Sequence, residues 1–237
     1  MCTVTYVPTR AHEFFFTTNR DEAPGRSPQS LDRQVLDGAA TVFPRDKGAG
    51  GTWIAAAGNE RIICVLNGAF TAHRHQPPYR RSRGLMALDY FYFPDTPAFA
   101  RGYAFPGMEP FTLVIWERGQ LFDLRWDGAD LHLTELPGDK PHIWSSAKLY
   151  PSEIRRKRET WFADWLARHP EPDEAAVRHF HAHAGDGDPH NDVIMNRANV
   201  VRTVSTTLIA ATDQQWRMHY HDLLGGARDQ ASLPYMY

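Results

Sequence analysis

Short runs of alternating apolar and polar residues dominate this chain, and each run ends at a turn-forming pair or a proline. Residues 2–7 (Cys-Thr-Val-Thr-Tyr-Val) and 13–19 (Glu-Phe-Phe-Phe-Thr-Thr-Asn) are β-branched and aromatic, and the linker between them suits a hairpin. Residues 52–57 and 61–67 form a second hairpin around Gly58-Asn59. Residues 111–117, 121–126 and 130–136 read as an antiparallel meander turning at Arg118-Gly119 and Asp127-Gly128. Residues 203–211 and 215–220 make a last hairpin, with a polar tail after Gly225-Gly226. The apolar period changes to helical at 83–93, ending before Pro94, and again at 151–169 and 172–183. In the longest of these, Ile154, Trp161, Phe162, Trp165 and Leu166 mark one stripe behind Pro151, which suits a first turn. Residues 20–40, 97–110 and 184–191 are rich in Pro, Gly, Ser or Asp and read mostly as loop.

Many hairpin strands with a few helices between them predict an α+β layered fold, antiparallel sheets covered by helices, in one domain over 1–237. No glycine fingerprint follows a strand, which excludes a dinucleotide-binding or P-loop reading. With 237 residues, 42% hydrophobic and 23% charged, the chain can bury a large core. Twenty-six basic against 28 acidic residues leave a net charge of −2, which offers nothing for nucleic acid or an anionic membrane. No apolar run approaches the ~20 residues of a membrane span, and the first residues lack the basic start of a signal peptide, so a cytoplasmic protein is expected. The two cysteines, Cys2 and Cys64, cannot build a disulfide framework. Cys64 lies in the apolar run Ile62-Ile63-Cys64-Val65-Leu66 and is expected to be packing.

Cys2 is different. Removal of Met1 would leave a thiol and an α-amine on one residue. With a reference pKa of about 7.7–8.0, that amine is partly free base near neutrality and can take the proton of its own thiol. Asn19-Arg20-Asp21-Glu22 ends the second predicted strand, which the first hairpin brings back beside Cys2. A carboxylate there can orient the amine, and an arginine can hold its pKa down.

Met1-Cys2-Thr3 followed by Asn19-Arg20-Asp21-Glu22 resembles the NRDE family, also called the transport and Golgi organization protein 2 family. Gly50-Gly51-Thr52-Trp53, Asn67 at a strand end, Ser82-Arg83-Gly84 and Thr203-Val204-Ser205-Thr206-Thr207 resemble further segments of it, in the expected order. The resemblance implies the four-layer αββα sandwich of N-terminal nucleophile (Ntn) hydrolases and similarity to choloylglycine hydrolases and penicillin V acylases, which cleave linear amides. It implies Cys2 as nucleophile, Arg20 and Asp21 as its supporting pair, Asn67 as an oxyanion donor and Arg202 as a second arginine. Trp53 and Ser146 are the expected substrate contacts. Two departures stand out. Arg20 and Asp21 are adjacent, so a regular strand puts them on opposite faces, and Asn19 with Asp21 is then the same-face pair. Ser146 stands near where the acylases carry an asparagine.

Two functions follow. One is an amidohydrolase taking a small molecule, with no cofactor. The other is a carrier of a hydrophobic ligand, haem or lipid, on the same fold, which the resemblance suggests through the membrane-organisation and haem-handling links of eukaryotic members. His179, His181, His183 and His190 invite a metal, but histidine is frequent here, twelve in all, and a surface segment is the better reading. The run Arg155-Arg156-Lys157-Arg158 spreads around its helix and reads as solvated surface.

Overall fold

The alternating segments pair into two antiparallel sheets of seven strands each. The structure is a computed structural model, and it describes residues 3–10 and 13–235. The first sheet contains β1 (Thr3–Arg10), β2 (Glu13–Glu22), β10 (His142–Ser145), β12 (Val201–Ala211), β13 (Gln215–Asp222) and β14 (Arg228–Pro234). Its order is β10-β1-β2-β12-β13-β14, and the short β11 (Asn196–Arg197) pairs with β12. The second sheet runs in sequence order from β3 (Leu31–Leu36) and β4 (Ala39–Pro44) through β5 (Ile54–Ala57) and β6 (Arg61–Asn67). It continues through β7 (Phe111–Glu117) and β8 (Gln120–Trp126) to β9 (Leu131–Leu136).

Strand alternation decides what lies between the sheets. On β1 and β2 the even positions, Val4, Tyr6, Phe14 and Phe16, face the second sheet and are buried. Trp116 of β7 packs against Phe14 and Trp216 at 5.0 Å each, which joins the two inner faces. Cys64 is part of this core, and burial pushes its thiol up to about 12, so it is packing, as expected.

Four helices cover the outer faces. Residues α1 (Arg83–Asp89) and α2 (Thr96–Gly102), joined through a 3₁₀ turn at Tyr90–Tyr92, lie on the second sheet. Arg61 of β6 donates to the carbonyls of Phe93 and Phe91 there. Residues α3 (Ser152–Arg168) and α4 (Glu174–His183) lie on the first sheet, where Phe162, Trp165, Val177 and Phe180 pack on Val7 and Leu208. Ser82, Asp95 and Asp173 cap α1, α2 and α4 by accepting a backbone N–H three residues on. The result is the expected helix–sheet–sheet–helix order. No helix among the described residues is long and apolar enough to cross a membrane.

Three segments differ from expectation. Residues 20–40 are largely strand, because β2 continues to Glu22 and is followed by β3 and β4. β3 is an edge strand whose middle, Arg33 to Val35, is exposed, so it has no alternating signal. Residues 97–110 contain α2, where Pro97 sits in the first turn and starts the helix behind the Asp95 cap rather than interrupting it. The polar tail is β14, an edge strand held by main-chain pairing with β13.

Candidate active site

Strand alternation along β2 separates its three candidate polar residues. Asn19 and Asp21 face the helices; Arg20 faces the second sheet. Asn19 is fully buried and donates to the carbonyls of His181 (2.9 Å) and Val193 (2.7 Å). Both amide hydrogens are thereby used, so its Oδ1 accepts from Nδ1 of His181 at 2.6 Å. The other ring nitrogen, Nε2, then accepts from the Thr5 hydroxyl at 2.7 Å. This tautomer is neutral, and burial together with the nearby Arg158 charge pushes His181 down to about 3. Asn19 therefore ties β2 to α4 and lies away from the cavity described below.

Asp21 accepts from the hydroxyls of Tyr150 and Thr203, each at 2.6 Å. β12 shifts register between Thr203 and Ser205, opposite Asp21 and Arg20. The irregularity sits in the neighbouring strand, and β2 keeps Asp21 and Arg20 on opposite sides. Arg20 is 2% exposed, with its guanidinium 4.0 Å over the Trp53 ring, and it is ion-paired with Asp46. Burial pulls its pKa down, and Asp46 and Glu22 work against that. Its Nε has no partner among the described residues. Asp46 also accepts from Arg26 (2.8 Å) and from the N–H groups of Gly48 (2.9 Å) and Ala49 (2.6 Å). Burial raises its pKa, but these bonds and the two arginines outweigh it and the net shift is downward.

The segment after Asp46 explains the paired glycines. Gly50 has φ +70°, and a Cβ on Gly51 would lie 2.2 Å from the backbone carbon of Gly84. Only that close approach lets Thr52 N–H reach the Gly84 carbonyl at 3.0 Å and sets Trp53 beneath Arg20. Asn67 ends β6. Its carbonyl accepts from the Ser146 hydroxyl (2.7 Å) and the Lys148 N–H (3.2 Å), and its side chain makes no hydrogen bond among the described residues. Ser146 is thus fully buried behind the strand end, where it positions Asn67.

Arg20, Trp53, Asn67, Asp46 and Arg83 line one cavity of about 110 Å³ at this end of the sheets. Arg83 is anchored to Glu109 at 3.0 Å, and Glu109 also takes Lys148, His73 (2.9 Å) and His75 (3.2 Å). Burial raises the Glu109 pKa, but Arg83 and the other three partners hold it near 2. The Cys2 expectation falls outside the described residues. Its covalent neighbour Thr3 has Asn19 and Ser145 as cross-strand partners.

Of the positions expected from sequence, Arg20, Trp53 and Asn67 meet at the cavity. Asp21 lies on the other side of β2, and Asn19 and Ser146 are scaffold. Arg202 is elsewhere: it stands opposite Asn196 and Glu22 and donates to Asn199 at 3.3 Å. Asp46, Arg83 and Glu109 were not singled out as site residues. Asp46 is an isolated loop aspartate with no local pattern, and only the fold brings it to Arg20.

Two surface expectations also change. Arg158 is fully buried, stacked 3.8 Å from the Tyr150 ring, and donates to Thr3 Oγ1 and the carbonyls of Asn191 and Asp192. One position of a four-residue basic run must face inward on a helix that packs, and here that residue is charged. His179 and His183 stack on one face of α4 at 4.3 Å, whereas His181 faces the sheet. No cluster of three or more metal-ligating side chains occurs among the described residues.

The family model described as Transport and Golgi organisation 2 matches residues 1–205. A search of curated proteins finds no match. Among solved structures, the N-acylethanolamine-hydrolyzing acid amidase ortholog of Caenorhabditis elegans superposes with a TM-score of 0.58 at 12% identity. It covers 88% of this chain and 92% of its own. The conjugated bile acid hydrolase of Clostridium perfringens superposes in two variants, an arginine-to-leucine and a cysteine-to-alanine form. Each has a TM-score of 0.60 at 9% identity, covering 100% of this chain and 97% of its own. At such identity the likeness is one of fold, and that fold is the Ntn-hydrolase αββα sandwich.

Proposed function

The chain belongs to the Transport and Golgi organisation 2 family, and from its fold and cavity we propose that it is an N-terminal cysteine amidohydrolase acting on a small linear amide. The observation that carries this reading is the cavity itself. It gathers Arg20, Trp53 and Asn67 from two sheets, the Asn67 side-chain amide makes no hydrogen bond among the described residues, and Arg20 Nε is buried beside it without a partner among them. The bile acid hydrolase variants point the same way: a cysteine and an arginine are the residue types altered there, the types assigned here to Cys2 and Arg20.

In the proposed reaction Met1 has been removed. The α-amine of Cys2 takes the thiol proton, and the thiolate attacks the amide carbonyl. The Asn67 amide donates to the resulting oxyanion. The amine product leaves with the proton, and water, deprotonated by the same α-amine, hydrolyses the thioester. Arg20 is neutralised by Asp46, so it serves as a fixed donor more than as a free charge. A cavity of about 110 Å³ is small against typical ligand sites of ~300–1,000 Å³, which fits a small polar group beside the scissile bond.

The test begins with the intact mass of the purified protein, expected to lack Met1. A panel of N-acyl amino acids and N-acylethanolamines is then assayed for amine release. Cys2→Ala should abolish turnover, and Asn67→Ala should lower kcat roughly 10²–10³-fold. Retained Met1 with no turnover, together with stoichiometric haem or lipid binding that survives Cys2→Ala, would replace this reading with the carrier function.

A further inference from the structure

A second cavity, of about 650 Å³, lies on the opposite face of the first sheet, away from Arg20 and Asn67. The strand register shows how it forms. Thr17, Leu208, His219 and Gln230 stand in one row across β2, β12, β13 and β14, and Asn19, Thr206, His221 and Arg228 in the next. α4 covers the β2 and β12 ends of these rows. Towards β13 and β14 this cover thins, with Glu174 of α4 reaching only to 3.9 Å from Arg217 and His219 of β13, and the cavity lies between α4 and these strands. Arg178, His181 and Ala182 form its helical wall, and Ile194 and Leu223 close one end.

Two observations mark it as a ligand site rather than a surface hollow. Thr17 is 2% exposed, lines the cavity, and its hydroxyl has no hydrogen-bond partner among the described residues. Nε2 of His219, in the same row, is likewise buried without one. A buried polar group left unpaired is costly, by about 1–3 kcal/mol each, unless something else supplies the partner. Both signs of charge stand around these groups, and the arginines include the one without an ion pair. Arg228 is exposed at the rim and makes no ion pair among the described residues, and Arg178 stands opposite on α4. The nearby acids already have cations: Glu174 holds Arg178 and stands 3.9 Å from His219 Nε2, beyond hydrogen-bond reach, and Asp229, which lines the cavity, pairs with Arg33 at 3.6 Å and accepts from the Leu31 N–H. Burial and these arginines both lower the pKa of His219 and His221, leaving neutral rings able to donate and accept. Leu208, Ala182, Ile194 and Leu223 supply the apolar part.

We propose that this cavity binds an amphiphilic acid, its anionic head at Arg228 and its apolar body over Leu208 against Ile194 and Leu223. The Thr17 hydroxyl and His219 Nε2 lie at the bottom, where a polar atom of the ligand completes them. The site is independent of Cys2.

The probe is dansyl-undecanoic acid, followed by its fluorescence, with its methyl ester as the neutral control. Saturable binding of the acid is expected, with the ester at least about tenfold weaker, and Arg228→Glu should cost about tenfold for the acid alone, as an attraction becomes a repulsion. Thr206→Trp, which fills the floor, should abolish binding, and Thr17→Val should weaken it while the thermal midpoint holds or rises. Cys2→Ala and the distant surface change Arg101→Glu should leave binding unchanged. Dodecanoate or dodecyl phosphate should displace the probe where inorganic phosphate does not. The proposal is overturned by an acid that does not bind, by equal binding of the ester, by full binding in a folded Thr206→Trp protein, or by loss of binding in Cys2→Ala.

Discussion

His181 has the most exact electrostatic consequence of any residue in the structure. Both ring nitrogens have partners, Asn19 and Thr5, and burial with the nearby Arg158 charge puts the folded pKa near 3 against 6.5 for a free histidine. Below pH 6.5 the unfolded chain takes a proton that the folded chain refuses. The contribution to stability is therefore complete above 6.5 and drains away as pH falls towards 3. Urea denaturation should show the wild type losing about 2 kcal/mol more than His181→Gln between pH 7 and pH 5. Equal losses would mean that the buried imidazole accepts a proton in place. Arg158 illustrates the opposite solution to burial. Three oxygens and the Tyr150 ring replace the water its guanidinium gave up. Nothing local distinguishes Arg158 from its three basic neighbours; the packing of α3 alone selects it.

Among the elements, the segment between β4 and β5 does the most to build the candidate site. It carries Asp46, the two glycines and Trp53, and it touches α1 through backbone alone at Gly51 and Gly84. Gly51→Ala should therefore separate α1 from β5, lowering the thermal midpoint and opening the cavity under Arg20, whereas Gly38→Ala in the β3–β4 turn should show only the strain of its φ of +78°. Thermal melts with Trp53 fluorescence as the local probe compare the two, and a Gly51→Ala protein that melts like wild type would remove close approach as the reason for the pair. The Gly-Gly-Thr-Trp segment was legible as a motif. Its partner Gly84 was visible in Ser-Arg-Gly too, but their contact spans 33 positions and belongs to the fold. β3, α2 and β14 were hidden for a different reason. Edge strands and a proline-led helix lack the periodicity that reveals a half-buried element.

For the whole molecule, stability should follow the layering. The central strands β2 and β12 of the first sheet and β6 and β7 of the second are paired on both sides and buried on both faces. β3 and β14 are edges, with exposed side chains along half or more of their length. Amide hydrogen exchange should accordingly be slowest in β2, β6, β7 and β12 and faster by orders of magnitude in β3 and β14. Protection in β14 equal to that in β12 would indicate a partner over that edge in solution.

The sequence by itself determined the hairpins, the meander, the two long helices and hence the layered class, because strand and helix periods are local properties of consecutive side chains. It also set the alternatives for Arg20 and Asp21, which diverge on a regular strand and face the same way only where a strand ends or bulges. What the tertiary structure decided is which side each took and whom it met. Arg20 turned inward onto Trp53 and Asp46, Asp21 outward to Tyr150 and Thr203, and Asn19 became a scaffold residue under α4. Arg202, just before the last hairpin, ended half-buried beside Asn199, away from the cavity. Those outcomes depend on register between strands far apart in the chain and on which face a helix covers, and neither quantity is carried by any one stretch of residues.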